Sequence, residues 1–180
     1  METKSTFAGI TLTNGLIGAA ILFVLNVLYY VLNINYFSIG FGILSFIVTF
    51  TIIIVMMVIA MKNHRDKVQG GVTNYGHKLL AGIVVSLLAI LLSGFLNFVF
   101  FELVDPDYMN NQMEDFLYSM EDRGMTEEQL EMMHDQMAGN KTPLQQWIQG
   151  LKYLPIVAVV LSLIVAAFVK SDTTTDNIAV

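Results

Sequence analysis

Four apolar runs, each about twenty residues or longer and with at most one charged residue, recur along the chain, separated by two short polar stretches and one long one. A hydrocarbon core of about 30 Å needs about 20 mostly apolar helical residues. The runs therefore predict four transmembrane helices, over residues about 7–32, 39–61, 79–104 and 144–169. The fourth contains Pro155, and the residues after it up to Lys170 would rise only about 22 Å, so this helix must start earlier. Thr142-Pro143-Leu144-Gln145 provides the start, with Thr142 as N-cap, Pro143 at the first helical position and Gln145 closing a capping box. A kink is expected at Pro155. The first run is too long for a signal-peptide core and no A-x-A site follows it, so it is expected to be retained.

The long polar stretch, about 105–138, has a different period. Met109, Met113, Phe116, Leu117 and Met120 recur at helical spacing, as do Leu130, Met133 and Met137 with His134 at their edge. Asp105-Pro106 reads as an N-cap and first position, Arg123-Gly124 as a cation in the last turn followed by a C′ glycine, and Thr126-Glu127-Glu128-Gln129 as a second capping box. Two amphipathic helices follow, about 106–123 and 127–138. Neither is long enough to be stable alone, so each must pack on something. The fold class is thus all-α: four transmembrane helices in a single membrane domain, 1–180, with an extracytoplasmic helical hairpin between the third and fourth.

Charge gives the orientation. Lys62, Arg65, Lys67 and Lys78 face Asp66 alone in the loop between the second and third spans, which predicts that this loop, with both termini, is cytoplasmic. From Glu102 to Pro143 there are eleven acidic residues and two basic ones, so residues about 103–143 are expected outside. Trp147, Tyr153, Tyr29, Tyr30 and Tyr36 suit an outer aromatic belt. Only 13% of residues are charged, against roughly 25% in soluble domains. The net charge of −6 argues against a nucleic-acid partner, and the absence of cysteine removes disulfides and thiolate chemistry.

Candidate chemistry is sparse. Met109 and Met113, or Met133 and Met137 with His134, have a spacing that could hold Cu(I), but methionine at i, i+4 is by default packing. The hairpin acids lack the order of a calcium loop, and His64-Arg65-Asp66 copies a kinase tripeptide without the rest of that machinery. The span cores hold no Asp, Glu, Lys, Arg or His, which argues against ion-coupled transport. Gly82, Ser86, Ala89 and Ser93, and likewise Ala158, Ser162 and Ala166, form small-residue stripes that let helices approach closely. Gly70-Gly71 reads as a turn into the third span, capped by Thr73 or Asn74. Asn140-Lys141-Thr142 is a sequon in form, with Pro143 behind it arguing against its use.

The run from "MKNHRDKVQGG" through the Asp105-Pro106-Asp107 start to the Gly124-Met125-Thr126-Glu127-Glu128-Gln129 turn resembles the bacterial membrane-protein family catalogued as domain of unknown function 4199. That resemblance implies a four-span protein of the Gram-negative inner membrane and carries no activity with it. The expectation is a non-catalytic interaction or structural subunit, with no catalytic, cofactor or metal residues. Its contact surface would be Met109, Met113, Phe116, Leu117, Met120, Leu130, Met133 and Met137 with Glu127 and Glu128. Beyond the lipid bilayer, the partner would be a second copy or an envelope protein. The competing reading is an oligomeric small-solute channel or transporter.

Overall fold

The computed structural model describes residues 6–138 and 143–172. Among the described residues six helices follow one another: α1 (Phe7–Val31), α2 (Ile39–Lys67), α3 (Tyr75–Val104), α4 (Tyr108–Glu121), α5 (Glu127–Ala138) and α6 (Pro143–Phe168). Helices α1, α2, α3 and α6 are each long and apolar enough to cross a membrane, which makes this a multi-pass membrane protein.

Local sequence explains most of the helix ends. Thr6 caps α1 by accepting from the Gly9 amide at 3.1 Å. Asn74, the second of the two anticipated caps, starts α3 by accepting from the His77 amide at 2.9 Å. The α1–α2 turn places Asn33 at φ 48°, a conformation asparagine tolerates. Gly70 and Gly71 have φ 68° and 94°, and the Gly71 amide returns to the Arg65 carbonyl at 2.9 Å, closing the expected turn. Between α4 and α5, Gly124 takes φ 90°, and Thr126 and Gln129 form the anticipated reciprocal capping box at 3.0 and 3.4 Å. Thr142 and the sequon lie outside the described residues.

Helix α3 occupies the middle, packed on α1, α6 and α2, while α2 and α6 touch only lightly. Missing side chains set these approaches. A Cβ on Gly15 would lie 2.7 Å from that of Leu88, and one on Gly82 would meet Met61, Ser162 and Met57 within 3.0 Å. Both expected small-residue stripes are buried. The Ser86 and Ser162 hydroxyls donate to carbonyls of their own helices, Gly82 at 2.8 Å and Ala158 at 2.6 Å, so they need no partner across the interface.

Three boundaries differ from the sequence expectation. Helix α2 runs past Met61 to Lys67, and α3 starts at Tyr75 rather than near Leu79. The extra turns are held by buried polar groups. Arg65, 3% exposed, pairs with Asp66 at 2.6 Å and donates to the Lys170 carbonyl at 3.2 Å; Lys78, 4% exposed, donates to the Val169 carbonyl and to Ser171 Oγ. These two cations cap the carbonyl end of α6, where the helix dipole favours positive charge. Helix α4 starts at Tyr108 rather than Pro106, because Asp105 and Pro106 form a turn in which the Tyr108 amide bonds to the Asp105 carbonyl at 3.2 Å.

Candidate interaction surface at the acidic end

The end of α1 and the end of α3 nearest the acidic hairpin, with the α1–α2 turn, make a platform of rings. Tyr30 lies edge-on to Phe100, Phe101 and Tyr108, and Tyr36 edge-on to Phe41 and Tyr108. Onto this platform α4 lays one face. Tyr108 stacks on Phe101 with centroids 5.2 Å apart and planes within 4°. One turn on, Gln112 donates to Asn33 Oδ1 at 3.1 Å, and its backbone carbonyl accepts from Asn35 Nδ2 at 2.9 Å. Phe116 then meets Phe37 at 6.2 Å. Burial pushes the Tyr36 phenol well above its usual range, with Tyr108 and Tyr29 adding to the effect; burial likewise raises Tyr108, helped by Tyr30 and Asp105. Both phenols are neutral at physiological pH.

The residues predicted as one contact surface divide between two roles. Met113 is buried, and Met109, Phe116, Leu117 and Met120 are half-buried on the face that α4 turns to the bundle. Leu130 and Met133 on α5 are also half-buried, while the Met137 side chain lies outside the described residues. Glu127 and Glu128 are exposed, and so are Glu131, Met132, His134 and Asp135. Helix α5 packs on α4. Tyr108 and Gln112, the most buried anchors of α4, were not among the predicted residues. Their i, i+4 spacing, in line with Met113 and Phe116, was the available signal; a count of aliphatic and methionine positions passes over a tyrosine and a glutamine.

Two clefts flank α4. One, of about 370 Å³, lies between α4 and the start of α2, with Phe116 and Met120 beneath and Asp115 and Arg123 at its rim. The other, of about 290 Å³, has Met109 over Tyr36, Asn97, Phe98 and Trp147. Trp147 reaches α3 because Gly94 leaves room: a Cβ there would lie 2.9 Å from the indole. Among the described residues no group of three or more His, Asp or Glu is placed to hold a metal ion.

With this geometry in view, residues 13–171 match the family described as "Protein of unknown function (DUF4199)". The chain belongs to that family. No curated protein and no solved structure matches it.

Proposed function

We propose that this DUF4199 protein is a non-catalytic subunit of the bacterial inner membrane that presents α5 and the adjoining cleft to a protein partner on the periplasmic side. The observation that carries this reading is the division of labour in the hairpin. Helix α4 is fixed to the bundle by Tyr108, Gln112 and Met113, while α5, held on α4, keeps Glu127, Glu128, Glu131 and Met132 exposed. A helix with no role beyond covering the bundle would bring its own apolar face onto it. The orientation follows from charge: Lys62, Arg65, Lys67, Lys78 and Lys170 gather at one end and the acidic hairpin at the other, so positive-inside bias puts both termini in the cytoplasm. The partner is an envelope protein or a second copy, with the Phe116 and Met120 cleft as the apolar contact and Arg123 at its rim.

The channel or transporter reading relies on polar groups within the spans. The Ser86 and Ser162 hydroxyls are committed to their own helix carbonyls, and Ala81, Val85, Ala89 and Ala158 close the interior around them. That packing weighs against a pathway through one chain. The test is detergent extraction from native membranes followed by pull-down and intact-mass measurement. The wild-type chain is expected to carry a stoichiometric partner, which Glu127→Lys with Glu128→Lys removes without lowering membrane abundance. Recovery of the same species from both chains, or of the wild type alone, overturns the proposal.

A further inference from the structure

The cleft beside Met109 leaves two buried polar atoms without a hydrogen-bond partner. They are Nε1 of Trp147 on α6 and Oδ1 of Asn97 on α3. Two other polar side chains of the cleft pair with each other: the Tyr36 hydroxyl donates to the Asn26 carbonyl at 3.3 Å, and Asn26 Nδ2 donates in turn to the Leu22 carbonyl at 2.8 Å. The indole is not free to swing toward a partner. Phe98 stacks on it with centroids 6.1 Å apart and planes within 15°, Phe95 meets it at 5.6 Å, and its Nε1 lies 3.2 Å from where a Cβ on Gly94 would stand. Asn97 is one turn on from Gly94, on the same face of α3. A donor and an acceptor are thus held side by side, each costly to leave unpaired.

We infer that this cleft binds a neutral, membrane-soluble phenol, that is, a hydroxyl on an aromatic ring with an aliphatic tail. A hydroxyl both accepts and donates, so one oxygen placed between the two orphaned atoms receives the Trp147 N–H and donates to Asn97 Oδ1. The ring then lies among Phe98, Phe101 and Tyr36, whose faces and edges suit an aromatic guest. The lining residues are all uncharged, so an ionic ligand would be desolvated there without a counter-charge. A volume of about 290 Å³ lies at the small end of ligand sites and holds one ring with the start of its tail. Along α3, Asn97 is about 10 Å from the helix end at Val104, a depth that suits the amphipathic rings of a bilayer interface. Entry is from the bilayer: α1 and α6 each pack on α3 and make no extensive contact with each other, so α3 floors an opening between them. The site is separate from the Phe116 and Met120 cleft and does not rest on the partner reading.

Trp147 is the one tryptophan of the chain, so its emission reports the site directly. The experiment titrates the full chain in lipid nanodiscs with para-pentylphenol, exciting at the red edge of the indole band where phenols do not absorb. A saturable emission shift is expected. Para-pentylanisole accepts from the indole but has no proton for Asn97, and should bind about tenfold more weakly, the worth of one hydrogen bond. Para-pentylcyclohexanol keeps the hydroxyl and loses the aromatic faces, and should bind about fivefold more weakly. Asn97→Leu should lower the affinity for the phenol to that for the anisole and leave the latter unchanged. Because Asn97 Oδ1 has no partner to lose, this variant should keep the wild-type thermal midpoint, which verifies its fold. If it does not fold, the three ligands on the wild type still decide. A response that does not saturate overturns the inference, as does equal binding of the phenol and either analogue, or a preference for the phenol over the anisole that persists in folded Asn97→Leu.

Discussion

Replacing Tyr108 by alanine tests whether α4 is held to the bundle by its first turn. The ring is 5% exposed and contacts Tyr30, Tyr36 and Phe101 at centroid distances of 4.8, 6.0 and 5.2 Å. Truncating a buried aromatic to alanine costs about 3–5 kcal/mol, a range that includes ring-pair terms of about 0.5–1.5 kcal/mol each. The loss falls mainly on the docked state of α4, because the four spans keep their own interfaces through α3. At about 1.4 kcal/mol per factor of ten, α4 should open at least about a hundredfold more often. Amide hydrogen exchange of the protein in lipid nanodiscs reads this directly. Exchange should accelerate across residues 108–121 and in α5, with the middle of α3 unchanged. Tyr108→Phe separates ring from hydroxyl. The phenol oxygen is buried without a hydrogen-bond partner, so the phenylalanine variant should keep wild-type exchange. Unaltered α4 exchange in Tyr108→Ala, or equal acceleration in Tyr108→Phe, would refute the argument that stacking fixes the hairpin.

Other outcomes follow from the same contacts. Gly82→Val puts a branched side chain against Met61, Ser162 and Met57, and overpacking of about 1–3 kcal/mol should lower the thermal midpoint of the detergent-solubilised protein. Lys78→Met removes the charged donor to the Val169 carbonyl, a loss of about 1.5–3 kcal/mol that should appear as faster exchange over the last turn of α6 and greater protease sensitivity there. Thr126→Ala breaks half of the α5 capping box, costing about 1 kcal/mol, and should fray residues 127–130 without altering exchange in α4.

The parts of this fold that were legible from sequence are those determined by neighbours along the chain. The four spans, the Gly70-Gly71 turn, the Asn74 cap and the Thr126–Gln129 box each depend on residues within a few positions of one another. The parts that were not legible depend on distant partners. Lys62 to Lys67 read as a hydrophilic loop, yet they continue α2 because Arg65 finds its acceptor on Lys170, and Lys78 finds its own on Val169 and Ser171. The sequence joins the α4 face and α5 into one surface, whereas the structure buries or half-buries the α4 residues and leaves Glu127 and Glu128 exposed. The Tyr108 stack on Phe101 and the Gln112 bonds to Asn33 and Asn35, all across the bundle end, distinguish the anchored α4 from the more exposed α5.

The cations that cap α6 also bear on biogenesis. Synthesis delivers α2 and α3 well before α6, so Arg65 and Lys78 enter the membrane interface without the carbonyls of Val169 and Lys170. Until the last helix arrives, Lys78 lacks its acceptors, Arg65 has only Asp66 beside it on its own helix, and the basic ends of α2 and α3 are without the contacts that α6 supplies. Arrival of α6 supplies the acceptors and draws Thr73 onto the Ser171 carbonyl at 2.8 Å. Completion of the chain is thereby coupled to sealing of the bundle at its basic end.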